Sequence, residues 1–504
     1  MSKKPVNKKP ASPKKQPSKK PNEELGVAKQ ITLYRYRYLI GYVFFAFILL
    51  FMVVYKIWDM PAGLSQSEIA SVTNSAWLNT EALQSNAAAI INLPYHLLQK
   101  FSVMIFGANL WALRLPSVIL AILSGVVLER LLGRLFKRNV AVIATILAVS
   151  SVLFITLAHD GSPMIMNAFL TIMLTYLATR VFHGDKAGVL WQVLLVLTLA
   201  LSLYSPLGLV PLAGILIACF NKDVRARVRQ IPIWTLIIFV VVLAVVLAPL
   251  VLSLVLNFTD TVKAWLAWSD WGSLSDNASA LGILFLDMPA GDFVSSFAPS
   301  IFGLPLLLLT IIGLVRAIID HKSPRSYLIL TWFIVLIPIL LFNHRAIYLM
   351  FVPISLLVTM GVAFLLDSWN RLFPINPYAR VAGLIPIAVL MVGIVTLTLG
   401  RYFNLESYAP NVVLAYNQTP VAVFNEVARQ DEQVKLLVSE NERAFYRLLG
   451  NEVEIIVEPP QDFARLLVAP SVQELYVDKL PKTPTRIVVS QLKDDSVLLR
   501  VYEK

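Results

Sequence analysis

From Leu39 onward the chain alternates long apolar runs with short polar stretches, and the runs have the length needed to cross about 30 Å of hydrocarbon as helices. About eleven such segments lie near 39–56, 109–127, 139–157, 163–182, 188–204, 206–220, 232–256, 300–318, 325–342, 346–366 and 380–399. The pair around Ser205 and Pro206, in LSLYSPLGLVP, also reads as one broken helix. After about residue 401 the period changes. VKLLVSE, VEIIVEP, TRIVVS and SVLLRVYEK read as short strands, with TPVAVFNEVARQ and ERAFYRLLG as helices between them, which predicts a small α/β domain.

Basic residues in the loops orient the spans. Arg130, Arg134, Lys137 and Arg138, then Arg180 and Lys186, then Lys222, Arg225, Arg227 and Arg229, then Arg316, Lys322 and Arg325, then Arg371 and Arg380 all fall on the side of the N-terminus. The alternate loops hold Lys100, Arg114, Lys263, Arg345 and little else. The positive-inside rule makes the first side cytoplasmic, so the N-terminus faces the cytoplasm and the C-terminal domain the exterior of a plasma membrane. The expected domains are a basic tail over 1–38, a membrane domain over 39–400 and an extracytoplasmic α/β domain over 401–504.

Composition agrees: 57% of residues are hydrophobic and 15% charged, and the mean hydropathy is +0.70. The net charge of +12 is concentrated in residues 1–38, where nine Lys and two Arg face only Glu23 and Glu24. That Pro/Ser/Lys-rich tail cannot bury a core and is read as disordered, meeting anionic headgroups rather than nucleic acid. Cys219 is the only cysteine, which excludes a disulfide framework. No cleavable signal peptide is evident before Leu39.

The first outer loop, residues 57–108, is unusual. From Glu68, EIASVTNSAWLNTEAL sets Ile69, Val72, Ala76, Leu78 and Leu83 toward one face and Glu68, Ser71, Asn74, Ser75 and Asn79 toward another, which predicts a helix lying on the membrane surface. NLPYHLLQKFSVMIFGANLWALRLPS follows as a second amphipathic element with Pro94 at its start.

PAGLSQSEIAS, NLPYHLLQKFSVMIFGANLWALRLPSVILA, LAHDGSPMIMNAFLTIMLTYLA and NHRAIYLMFVPISLLV together resemble the GT-C membrane glycosyltransferases, in particular bacterial relatives of the protein O-mannosyltransferases and of the lipid A aminoarabinose transferases. The likeness covers most of 39–366. It rests on Arg114-Leu115-Pro116-Ser117 at the start of the second span, Arg345 through Leu349 with Pro353, and Ser67-Glu68 where that superfamily usually carries Asp-Glu. It implies an α-helical polytopic fold with amphipathic helices in the first outer loop. The implied reaction is transfer of a sugar from a polyprenyl-phosphate or polyprenyl-diphosphate carrier to a protein, lipid or glycan acceptor at the outer face.

Such chemistry needs a carboxylate to take the acceptor's proton and cations to hold the departing phosphate. A serine at position 67 cannot be the base, so the expected catalytic residues are Glu68 and Asp160, the latter in the HDGSP turn of the next outer loop. A plainer role for Glu68 is to cap its helix. Arg345, with His344 and Tyr348 beside it, is the expected phosphate-binding group, with Lys100 as a further cation. Arg345 and Lys100 also suit headgroup contact. His96, Tyr95, His159, Trp265 and Trp268 are the expected substrate-pocket residues, although Trp265, Trp268 and Trp271 equally form an interfacial aromatic belt. No cofactor is assigned. His96, His159 and His344 come from separate loops without HxxxH or HxxE spacing, so a divalent metal gains no support. Asn277-Ala278-Ser279 and Asn417-Gln418-Thr419 are outer-facing sequons.

Two other functions stay open: a non-catalytic envelope scaffold that keeps the glycosyltransferase architecture, and a transporter of polyprenyl lipid or sugar. Ionisable groups cluster at the outer ends of the spans rather than at the midplane, where a transporter would place them. The topology has a direct check. Cysteines placed at Ser275 and Lys493 should react with an impermeant label from outside, and those at Arg227 and Ser323 should not. Labelling of position 493 from the cytoplasm alone would make the number of spans even.

Overall fold

The computed structural model describes residues 36–76, 78, 87–183, 188–218, 232–286, 303–321, 323–372, 382, 384–405, 410–429, 434–490, 492 and 496–503. The basic tail up to residue 35, Asn79, Leu83, Cys219, the Lys222–Arg229 loop and Lys493 lie outside them.

The molecule is mostly helical. Helix α1 is Arg37–Val54, and the loop after it carries α2, Gln66–Ala76, and α3, Leu93–Phe106. Then come α4 (Leu110–Leu135), α5 (Arg138–Val149), α6 (Val152–His159) and α7 (Met164–His183). Further helices run over Val189–Ser202, Leu209–Ala218, Ile233–Leu256, Gly303–Ile319, Pro324–Phe342, Phe351–Leu372 and Leu384–Gly400. Helix therefore occurs in each predicted apolar segment. Among the described residues five helices are long and apolar enough to span a membrane alone, and α5 with α6 passes that test as a pair bent by 60°. The Val189–Ser202 and Leu209–Ala218 helices are separate, joined by a turn at 203–208.

Burial indicates the solvent. Over its most apolar window Ile233–Leu256 is only 11% buried at a mean hydropathy of 3.2, whereas His344–Leu372 is 78% buried. A bare helix of that composition is stable only in lipid. At the centre, Gly303–Ile319 packs on Phe351–Leu372 so closely that a Cβ on Gly313 would meet the Leu357 carbonyl and one on Gly361 the Leu309 carbonyl. Small residues permit this approach between membrane helices.

The bend between α5 and α6 is built by serines. The Ser150 and Ser151 hydroxyls donate to Leu147 O and Ala148 O, and the Ser151 oxygen accepts from Phe154 N at the start of α6. This turns the end of α6, with His159 and Asp160, into the protein interior, where both are buried.

The loop between α1 and α4 departs from the amphipathic expectation. The buried residues of α2 are Glu68, Ser71, Val72 and Ser75, mostly from the polar face of the expected amphipathic helix, while Ala70 is exposed. Its polar side is turned inward because α3 and α4 supply buried partners for it: Ser71 donates to Gln99 and Arg114 meets Glu68. The exposed apolar stripe sits on α3, where Leu97, Leu98, Phe101, Met104 and Ile105 face outward. That is the pattern of a helix lying in the headgroup region.

The C-terminal segment forms a five-stranded sheet of β1 (Val434–Leu437), β2 (Val453–Ile456), β3 (Arg465–Val468), β4 (Arg486–Val489) and β5 (Val497–Glu503), in the order β2-β1-β3-β5-β4. β1 pairs in parallel with β2 and β3, while β5 is antiparallel to β3 and β4. β3 is the strand missing from the sequence reading. All four of its residues are buried, so it lacks the alternation that marks a half-exposed strand. Helices Thr419–Val427 and Glu440–Tyr446 match the expected ones. The core of this module is shared with the membrane part, since Leu64, Val72, Leu110 and Leu113 cluster with Phe424, Val434 and Leu467.

A bridge between Leu64 and Asn417 fastens the two, each N–H reaching the other's carbonyl at 2.8 Å. Gly63, at φ +101°, lies under it, and a Cβ there would sit 2.7 Å from the Asn417 carbonyl oxygen. Gly63→Ala should therefore cost roughly 1–3 kcal/mol. The expected readout is a lower melting temperature in detergent with faster proteolysis near 410–419; unchanged values would mean that the bridge does not hold the module.

Candidate active site

The Arg-Leu-Pro-Ser sequence at the start of α4 organises the site. Pro116 cannot donate a backbone hydrogen bond and its ring crowds the carbonyl one turn earlier. The Ala112 carbonyl accepts from Ser102 Oγ at 2.6 Å and Leu113 O accepts from Gln99 Nε2 at 3.1 Å, which docks α3 against α4. Gln99 also donates to Gly161 O at 2.9 Å, tying the turn after α6 to the loop that carries α2 and α3.

Arg114 is fully buried. Its Nε donates to Glu68 Oε1 at 2.8 Å and Nη2 to Glu68 Oε2 at 3.3 Å, while its remaining donors reach the carbonyls of Ile57, Met60, Pro61 and Gly63. Glu68 in turn accepts from Gly161 N at 2.7 Å and Ser65 N at 2.8 Å. Glu68 N donates to Ser65 Oγ at 3.0 Å, so Ser65-Gln66-Ser67-Glu68 is a capping box at the head of α2. Glu68, one of the two expected catalytic residues, lies off the cavity wall: its carboxylate is buried and both oxygens accept from fixed donors.

Asp160 does line the cavity, which has a volume of about 490 Å³. Its backbone carbonyl accepts from Ser117 Oγ at 2.7 Å, and that hydroxyl in turn is bonded to Tyr95 Oη at 2.7 Å. Its carboxylate accepts from Ser65 Oγ at 2.8 Å, from Ser67 Oγ at 3.4 Å and from Ser162 Oγ. Burial first, then the Glu68 charge, push the Asp160 carboxyl up to about 7, against the serine hydrogen bonds and Arg114, which favour the anion. Ser67 thus helps to orient a carboxylate in the neighbouring loop.

Arg345 and Tyr348 also line the cavity. Asn343 Oδ1 accepts from Arg345 N at 3.1 Å and fixes the turn, and Arg345 Nη1 donates to Asp270 Oδ1 at 2.9 Å. Tyr348 Oη donates to Pro206 O at 3.4 Å. His96 is the other expected residue on the wall. Its Nδ1 is 3.1 Å from Ala89 O, and burial lowers its pKa to about 4, so the ring is neutral.

The remaining expected residues lie off the cavity wall. His344 is bonded through Nδ1 to Asn277 Oδ1 at 2.7 Å, and Lys100 reaches outward to the Leu78 carbonyl. Tyr95 and His159 are buried behind Asp160; His159 bonds Met52 O and the Tyr402 hydroxyl, each at 3.1 Å. Trp265 donates to Leu203 O, while Trp268 stacks on Trp271, which stacks on Phe342. Asn277 of the first sequon is buried and donates to Leu341 O and Phe342 O, so it is inaccessible to glycosylation. Sequence reasoning missed Ser65, Ser162, Asp270, Tyr402 and Tyr416, all on the cavity wall. The S-x-x-E spacing signalled Ser65, and Asp270 sits inside the tryptophan run that was read for its rings. Among the described residues no three His, Cys, Asp or Glu side chains gather to hold a metal ion.

A family model described as dolichyl-phosphate-mannose-protein mannosyltransferase matches residues 94–252, the stretch from α3 through Arg114 and Asp160. The whole architecture is similar to ArnT from Cupriavidus metallidurans bound to undecaprenyl phosphate, at 13% identity and a TM-score of 0.57 over 92% of this chain and 98% of that one. The fold is that of the GT-C glycosyltransferases. The oligosaccharyltransferase AglB from Archaeoglobus fulgidus, in complex with an inhibitory peptide and a dolichol-phosphate, is similar over 88% of this chain and 70% of its own, at 13% identity and a TM-score of 0.52. No curated protein matches the sequence. Within the GT-C fold of this chain, the loops that carry Ser65 and Asp160, the 264–270 segment and the 344–350 turn build one cavity.

Removing the Glu68 charge should unlock that arrangement. Glu68→Gln leaves a buried guanidinium without its counter-ion, a loss of roughly 3–5 kcal/mol. A fall in melting temperature with accelerated proteolysis of the loop between α1 and α4 is expected; a variant as stable as wild type would show that the pair carries no structural role.

Proposed function

We propose that the protein is a membrane glycosyltransferase that moves a sugar from a polyprenyl-phosphate-linked donor to a protein, lipid or glycan acceptor at the outer face of the plasma membrane, with its N-terminus cytoplasmic. The observation that carries this reading is the presence of Asp160 and Arg345 on the wall of one cavity. The fold adds support, because similar structures hold undecaprenyl phosphate or dolichol-phosphate.

In this mechanism Asp160 takes the proton of an acceptor hydroxyl or amine as its heteroatom attacks the anomeric carbon. The bond from that carbon to the phosphate oxygen breaks, and the polyprenyl phosphate departs against Arg345. Asp160 then releases its proton to water. A carboxyl that titrates near 7 suits the task, since a general base works best with a pKa close to the operating pH. Among the described residues the charged side chains on the cavity wall are Asp160, Asp270 and Arg345. Two acids against one base favour a donor with one phosphate over a diphosphate. The polar wall made by Gln66, Asn74, Asn92 and Asn167 suits sugar hydroxyls.

The test uses purified, monodisperse protein with a polyprenyl-linked sugar pool. Asp160→Asn should lower turnover about 100- to 10,000-fold with the melting temperature preserved. In the wild type kcat/KM should climb as pH rises through about 7, because only the deprotonated carboxyl accepts a proton, and the residual rate of Asp160→Asn should lack that limb. Arg345→Lys keeps the charge but loses the planar fork, so it should raise the donor KM more than it lowers kcat. Wild-type turnover in Asp160→Asn would remove the base from this mechanism.

A further inference from the structure

Asp270 is not a mobile surface partner of Arg345. Asp270 N donates to Ala267 O at 3.0 Å, Trp271 Nε1 to Leu266 O at 3.1 Å and Gly272 N to Phe342 O at 3.1 Å. Trp268 stacks on Trp271 with ring centroids 4.9 Å apart, and Trp271 on Phe342 at 5.5 Å. The segment that leads into Asn343 and Arg345 therefore anchors the chain just after Asp270, through Trp271 and Gly272, while the Ala267 carbonyl holds Asp270 N from the other side. A counter-charge held this way costs little entropy to keep in place, unlike an ordinary exposed ion pair.

The contact is also one-sided. Arg345 spends Nη1 on Asp270 Oδ1, and among the described residues its Nε and Nη2 have no side-chain acceptor. A guanidinium presents two edges to anions. Here the carboxylate takes part of one, and the other is available to a ligand in the cavity that both residues line.

Resting on the donor reading above, we propose that Asp270 sets how many phosphates the site accepts. It orients Arg345 toward one phosphate and, by its own charge, turns away a second. The repulsion grows with each negative charge on the ligand, and for one further charge at about 6 Å in a half-exposed site it is roughly a tenfold effect on affinity. Asp270 is thus a specificity determinant rather than a catalytic residue.

The experiment measures binding of undecaprenyl phosphate and of undecaprenyl diphosphate to the full-length protein in nanodiscs, so it is independent of turnover. Wild type should prefer the monophosphate. Asp270→Asn should tighten both and narrow the preference roughly tenfold, while Asp270→Glu, which keeps the charge, should restore it. Asp276→Asn is the control, because Asp276 is an exposed acid in the same outer loop that is absent from the cavity wall. An unchanged preference in Asp270→Asn, or an equal change in Asp276→Asn, overturns the proposal. If wild type binds neither lipid, the donor reading itself fails and this inference falls with it; binding of both without a shift in Asp270→Asn sinks only the inference.

Discussion

The buried pair of Arg114 and Glu68 is the constraint on which the cavity half of the molecule depends. Each charge alone would be costly to bury; together they are tolerated because Arg114 also satisfies four backbone carbonyls between Ile57 and Gly63, and Glu68 also accepts two backbone N–H groups. The pair joins the end of the first span, the head of α2, the start of α4 and the turn after α6. No apolar contact could specify that junction so narrowly, since carbonyls and N–H groups from four separate pieces of chain converge there. Its contribution is to arrangement more than to net stability.

Asp160 inherits its character from this junction. The Glu68 oxygen that holds Gly161 N also fixes the residue next to Asp160 and places a negative charge near its carboxyl. Three serine hydroxyls from the two loops aim the carboxylate. The division between the two acids is therefore physical. One is neutralised by a guanidinium and locked; the other is buried without a cation bonded to it and is left with a proton near neutral pH. The C-terminal module closes the arrangement, bonding to Leu64 just ahead of the capping box and lending Tyr402 and Tyr416 to the cavity wall.

Much of the scaffold was legible in the sequence. Apolar length located the helices, and the Arg345 to Tyr348 segment led to two cavity residues. The faces of α2 were not legible, because amphipathicity assumes that polar residues seek water. Glu68, Ser71 and Ser75 are buried, and the partners of the first two lie 46 and 28 residues away in helices whose docking no local pattern encodes. That Asp160 lines the cavity while Glu68 does not rests on that same long-range information. β3 was hidden for the opposite reason: a strand buried on both faces carries no alternation.

The central claim is that Asp160 is the carboxyl that exchanges a proton in the cavity. Infrared difference spectroscopy across a pH titration of the purified protein reads this directly, through the carbonyl stretch of a protonated carboxylic acid. The account predicts a carboxyl band that disappears as pH rises through about 7, is still present in Glu68→Gln but disappears at lower pH there because the Glu68 charge no longer raises the Asp160 carboxyl, and is missing from Asp160→Asn. A band that survives in Asp160→Asn and vanishes in Glu68→Gln would contradict it.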